Sequence, residues 1–146
     1  MEKIKSFTVD HMTLLPGLYV SRVDTMDNFT FTTFDLRVTR PNFEPVMNTA
    51  EIHTIEHLAA TFFRNKYPEK TMYFGPMGCR TGFYLIYKGN LTAADIKDEV
   101  IECFKFIENF EGEIPGAKPE ECGNYLDQNL PMAKFIARKY LKTLGD

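Results

Sequence analysis

Apolar and polar positions alternate most clearly between Phe29 and Arg40, where Phe34, Leu36 and Val38 share one face and Thr33, Asp35 and Arg37 the other. A period of two marks a half-buried strand, so this stretch is read as a strand whose Arg37 faces away from the apolar side. The run Leu18 to Val23 predicts a shorter strand before it. Pro41 and Pro45 end the pattern, because proline has no N–H to give to a ladder. The spacing then changes to three and four. Ile52, Ile55, Leu58, Ala59 and Phe62 form one stripe of a helix from about Thr49 to Asn65, with Asn48 placed to cap it and Glu51 in the N3 position. His53, Glu56 and His57 lie beside that stripe.

Gly75, Pro76, Gly78 and Gly82 surround Cys79, which puts this cysteine on a tight turn entering a strand over Phe83 to Tyr87. Lys88-Gly89 ends the strand. Thr92 with Asp95 starts another helix, whose buried stripe is Ile96, Val100, Cys103, Phe104 and Ile107. From Glu111 to Leu130 the pattern is irregular, with Pro115, Gly116, Pro119, Gly123 and, among them, Cys122; this reads as the functional loop. Pro131 suits the first turn of a closing helix with Phe135, Ile136 and Leu141 on its inner side. With no internal repeat and no linker-like shift, residues 1–146 are expected to form a single α+β domain. Its expected core is a mostly antiparallel sheet of about four strands with helices packed on one face.

Composition narrows the class of function. The 146 residues are 44% hydrophobic and 25% charged, with 13 Phe and 7 Tyr, which is the make-up of a chain that folds on a core. A net charge of -3 argues against a nucleic-acid or anionic-membrane partner, since both need a basic surface. No apolar run approaches the ~20 residues of a membrane span, and the first residues lack a basic start followed by an apolar stretch. A cytoplasmic location is therefore expected. Cys79, Cys103 and Cys122 are too few and odd in number for a disulfide framework, so reduced thiols are expected.

The sharpest chemical signal is His53-Thr-Ile-Glu56-His57. Two imidazoles four apart on a helix project to the same side and can share one metal ion, and the metal site is placed on this helix. Glu56 falls next to the pair, where a carboxylate can move protons. A catalytic site of this kind takes a third protein ligand and keeps an open position. Cys103 belongs to a helix stripe, so the third ligand is Cys79, Cys122, His11 or a carboxylate, and spacing does not choose among them. Whichever of Cys79 and Cys122 is not a ligand is free for catalysis. Arg80 beside Cys79, and a nearby divalent cation, would both favour a thiolate.

The segments Ser6-Phe-Thr-Val-Asp-His11, Phe34-Asp-Leu-Arg37, His53-Thr-Ile-Glu-His-Leu58, Pro76-Met-Gly-Cys-Arg-Thr-Gly-Phe-Tyr84 and Glu121-Cys-Gly123 resemble, in order and spacing, the S-ribosylhomocysteine lyases of the LuxS type. The resemblance spans nearly the whole chain. It implies a bacterial enzyme of the activated methyl cycle that splits S-ribosylhomocysteine into homocysteine and 4,5-dihydroxy-2,3-pentanedione, the precursor of the quorum-sensing signal autoinducer-2. The implied route is two carbonyl migrations along the ribose followed by β-elimination. Carried over, the family pattern makes His53, His57 and Cys122 the ligands of one divalent metal per subunit, Fe(II) with Zn or Co able to replace it. Cys79 and Glu56 become the acid–base pair. Ser6, His11 and Arg37 match positions at the ribose, and Arg64 and Tyr84 match positions at the homocysteine portion. The family also implies a homodimer with active sites at the interface, the N-terminal segment of one subunit completing the site of the other.

This chain departs from the family pattern in three places. Tyr73 stands six positions before Cys79, where an acidic residue is common. The loop Tyr67-Pro-Glu-Lys70 is shorter than in many relatives, and Glu69 or another carboxylate could substitute for the acidic residue. In Asp127-Gln-Asn-Leu130, relatives often carry histidine. Two other readings compete on residues alone. One is an inverted-motif metallopeptidase with Glu99, Glu102 or Glu108 as third ligand. The other is a structural metal site closed by Cys79 as a fourth ligand.

Overall fold

The computed structural model describes residues 1–146. After a single 3-10 turn at Lys5–Phe7 come β1 (Gly17–Met26), β2 (Phe29–Arg37), α1 (Thr49–Lys66), β3 (Thr71–Pro76), β4 (Gly82–Lys88), α2 (Ala93–Asn109) and α3 (Leu130–Leu144). The strands form one sheet in the order β1-β2-β4-β3, with every pairing antiparallel. The architecture is the expected α+β.

Pairing converts the alternation of β2 into two chemically different sheet faces. Phe34 and Leu36, with Phe83, Leu85 and Tyr87 of β4, are fully buried and meet Ile55, Leu58 and Phe63 of α1 and Val100 and Phe104 of α2. Each large side chain removed from water contributes about 2 kcal/mol, so this face fixes where α1 lies and hence where its histidines point. Tyr140 of α3 donates to the carbonyl of Gly17 at 2.8 Å and ties the closing helix to the start of β1. The other face carries Thr33, Asp35 and Arg37 of β2, paired across with Ile86, Tyr84 and Gly82 of β4. Glycine is required at position 82: a Cβ there would sit 2.4 Å from the Leu36 carbonyl oxygen.

Four expectations are corrected in detail. The second strand stops at Arg37 instead of Arg40, because the N–H groups of Val38 and Thr39 both turn to the carbonyl of Thr81. The first strand runs from Gly17 to Met26, longer than Leu18 to Val23, and a register shift between Val20 and Arg22 breaks its alternation. The sequence pattern locates only three strands; the fourth is β3, whose Gly75-Pro76 end reads as a turn signal. Phe135 is 54% exposed instead of inward. The buried stripe of α3 is Ala133, Ile136, Ala137, Tyr140, Leu141 and Leu144, and at helical spacing Phe135 falls on the opposite side.

Candidate metal centre and active site

Helix α1 begins where the Asn48 N–H donates to the Glu51 carboxylate at 2.7 Å, and from that start His53 and His57 follow one turn apart. Their ring centroids are 4.5 Å apart. His53 Nδ1 meets the carbonyl of Asp127 at 2.9 Å, and His57 Nδ1 meets the carbonyl of Pro115 at 2.7 Å. A carbonyl only accepts, so each Nδ1 carries the proton and each Nε2 keeps its lone pair for a metal. Cys122 Sγ lies 3.4 Å from His53 Nε2, and one ligand atom from each of His53, His57 and Cys122 falls within 4.8 Å of the others. The loop between α2 and α3 thus supplies both carbonyls and the thiol. It approaches so closely that a Cβ at Gly116, where φ is +74°, would lie 3.0 Å from His57 Nδ1.

Two imidazoles and a thiol held this way fit a divalent transition-metal ion of borderline or soft character. The Glu56 carboxylate lies 3.7 Å from His57 Nε2 and is one-third exposed. His53 and Glu56 line a hollow of about 310 Å³ with Met77, Gly78, Arg80 and Asp127. Gln128 closes the loop behind His53, its oxygen accepting from the Thr54 hydroxyl at 2.8 Å.

Cys79 occupies the turn between β3 and β4 and lines a second, larger hollow of about 700 Å³ with Ser6, His11, Arg37 and Tyr84. Arg37 is buried and held from behind by Asp35, which accepts from Nε at 3.1 Å and from Nη2 at 2.6 Å. Its remaining nitrogen, Nη1, donates to Thr81 Oγ1 at 2.7 Å and lies 3.8 Å from Cys79 Sγ. Burial raises the Asp35 carboxyl above its ordinary range, against the opposing hydrogen bond and charge of Arg37. Burial likewise raises the Tyr84 phenol. Arg37 is thus a buried, oriented cation, although it faces away from the apolar side of β2.

The structure therefore gathers His53, His57, Cys122 and Glu56 on one side of the turn Pro76-Met77-Gly78, and Ser6, His11, Arg37, Cys79 and Tyr84 on the other. That turn lines both hollows, while Cys79 and Glu56 share neither. Arg64 lies outside both, its guanidinium donating to the Met72 carbonyl at 2.7 Å. Tyr73 lines a separate hollow with Ser6, Arg22, Asp24 and Tyr84, and Glu69 is exposed. Asp35, Thr81, Thr54 and Gln128 have supporting contacts that sequence spacing did not reveal. Only Asp35 left a readable trace, two positions from Arg37 on the same strand face. The alternative ligands on α2 are engaged elsewhere: Glu99 with Lys70 and Tyr87, Glu102 with Lys66, and Glu108 with Arg138.

The family profile described as S-ribosylhomocysteinase (LuxS) matches residues 4–145. The chain belongs to the LuxS family. Among its relatives, the S-ribosylhomocysteine lyase of Clostridium acetobutylicum is 63% identical over 148 residues, covering 100% of this chain and 94% of that protein. The S-ribosylhomocysteine lyase of Clostridium beijerinckii is 61% identical over 146 residues, covering 99% and 92%. That of Finegoldia magna is 59% identical over 146 residues, covering 100% and 94%. No helix of this LuxS-family chain is long and apolar enough to cross a membrane.

Proposed function

We propose that residues 1–146 form one S-ribosylhomocysteine lyase unit, which cleaves its substrate to homocysteine and 4,5-dihydroxy-2,3-pentanedione, the autoinducer-2 precursor, in the cytoplasm. Family membership supports the reaction class. The observation that carries the reading to the site is a metal-type donor group and an arginine-braced cysteine on the two sides of one turn.

His53, His57 and Cys122 would hold one divalent ion per subunit, Fe(II) as the resident with Zn or Co able to replace it, and this ion supplies polarisation of the ribose oxygens when bound. Cys79 as thiolate takes a proton from one ribose carbon and returns it to the next, moving the carbonyl along the chain in two migrations. The Arg37 guanidinium stands 3.8 Å from that sulfur. Glu56 then removes the C4 proton, and the electron pair left behind expels the homocysteine thiolate from C5. Every step is a proton transfer or an elimination, so no oxidant or reductant is consumed. Ser6 and His11 bind ribose hydroxyls, and Tyr84 packs beside the homocysteine portion. Arg64, whose Nη2 donates to the Met72 carbonyl, binds that portion through its remaining N–H groups.

Because Cys79 and Glu56 line different hollows, the working site is proposed to form across a two-fold homodimer. In that dimer Cys79 of the partner subunit faces the metal group of the first. Two features support it. The sheet face away from the helices exposes Tyr19, Met26, Phe29 and Tyr73, and Ser6 and His11 lie with Cys79 and not with His53. The N-terminal segment therefore completes the partner's metal site together with Cys79.

The test is anaerobic incubation of metal-loaded protein with S-ribosylhomocysteine and a thiol reagent that reports homocysteine. Cys79→Ala is run beside it at matched metal content. Release by wild type alone is expected. A fully loaded wild type that releases no thiol overturns the reading.

A further inference from the structure

Thr81 is the nearest polar neighbour of the Cys79 sulfur and is buried, and its backbone is clamped because its carbonyl accepts from both Val38 and Thr39. The direction of one of its hydrogen bonds is determined. A guanidinium has five N–H donors and no acceptor, so in the 2.7 Å contact Arg37 Nη1 donates and Thr81 Oγ1 accepts. The one hydroxyl proton is then free for another acceptor, and Cys79 Sγ stands 3.1 Å away. Asp35 removes the remaining freedom by engaging Nε and Nη2, so that only Nη1 points forward. An ionised sulfur only accepts, so with Cys79 as the thiolate the polarity runs one way, from the guanidinium anchored on Asp35, through the threonine hydroxyl, to the sulfur.

We propose that the Thr81 hydroxyl is the hydrogen-bond donor that holds Cys79 as the thiolate, with Asp35 and Arg37 as positioning residues that aim it. The function of this thiolate rests on the reading of Cys79 as the proton carrier. Such a sulfur must be ionised at neutral pH and still basic enough to accept a proton from carbon. One neutral donor at short range, with the cation held further off at 3.8 Å, suits both demands better than a direct ion pair. The other charged or titratable groups around the sulfur are Arg80, next in the chain, and His11, Glu44 and Tyr84 along the hollow. Only Arg37 and Thr81 are within hydrogen-bond reach of it.

The test is iodoacetamide alkylation of Cys79 in the intact metal-loaded protein, followed at the Cys79 peptide by mass spectrometry, at pH 7 and pH 10. Thr81→Val keeps the shape and removes the donor; Thr81→Ser keeps the donor. Thr81→Val should alkylate several-fold more slowly at pH 7 and no more slowly at pH 10, where an ordinary accessible thiol is ionised. Thr81→Ser should stay within about twofold of wild type at both. Equal rates at pH 7, or the same slowing at both pH values, overturn the proposal, the second because it reports access and not ionisation. Thr81→Ala carries the same comparison should the valine variant not fold. Alkylation needs no substrate, so failure of the lyase reading shows separately, as absent homocysteine release by wild type.

Discussion

Single residues decide whether the metal-type donor group and Cys79 are separate devices. His53 and His57 are made ligand-ready by the carbonyls of Asp127 and Pro115, and Cys122 completes the group. Cys79 touches Arg37 and Thr81 instead. Cys122→Ala is therefore expected to weaken metal retention roughly hundredfold or more, since loss of even an outer partner of a ligand costs 10–100-fold. Cys79→Ala should bind metal as wild type does and lose turnover. Metal content after dialysis against a chelator distinguishes these outcomes, and equal loss in both variants would revive the four-ligand structural site. At this scale the histidine pair was legible because one helix turn is local in sequence. The Asp35–Arg37–Thr81 cluster was not, since it depends on the register of two strands, Arg37 and Thr81 standing 44 positions apart.

Elements hold these residues in place, and their ends are where pH enters. Helix α2 starts at Thr92, whose N–H donates to the Asp95 carboxylate at 2.7 Å while the Thr92 hydroxyl accepts from the Asp95 N–H at 3.3 Å. The backbone hydrogen bond first, and the Thr92 side chain second, hold the Asp95 carboxyl below its ordinary range. A carboxylate with a lowered folded pKa contributes stability that is present above its unfolded pKa and fades as pH falls through the folded one. Asp95→Ala should therefore melt a few degrees below wild type at neutral pH, with the gap closing below about pH 4. Thermal melts of both proteins across that range check it, and a gap independent of pH would mean that the carboxylate is not its source. The cap was readable from Thr92 and Asp95 alone. Strand β3 was not, because an edge strand ending in Gly75-Pro76 presents the residues of a turn. Phe135 misled for a related reason: hydrophobicity marks a candidate for burial, while the side of the helix it occupies is set by the stripe around it.

At the scale of the whole molecule, the fold class followed from the order of periods along the chain, but the division of the site did not. Five motifs point to one reaction, yet folding sends them to two sides of the turn Pro76-Met77-Gly78. The proposed dimer resolves this by pairing unlike halves, and it makes a prediction that a site built within one subunit cannot meet. Cys79→Ala and Cys122→Ala homodimers should each be inactive, the first without the proton carrier and the second without the metal. Unfolding and refolding the two together in equal amounts makes half of the dimers mixed. In a mixed dimer one site combines the intact metal group of one subunit with the intact Cys79 of the other, while the second site carries both lesions. One competent site in half of the dimers gives about a quarter of wild-type homocysteine release. A site contained in one subunit predicts no recovery at all, because every subunit in the mixture then carries a disabling change of its own. The rate after co-refolding, compared with each variant refolded alone, thus reads out directly whether the chemistry spans two copies of this chain.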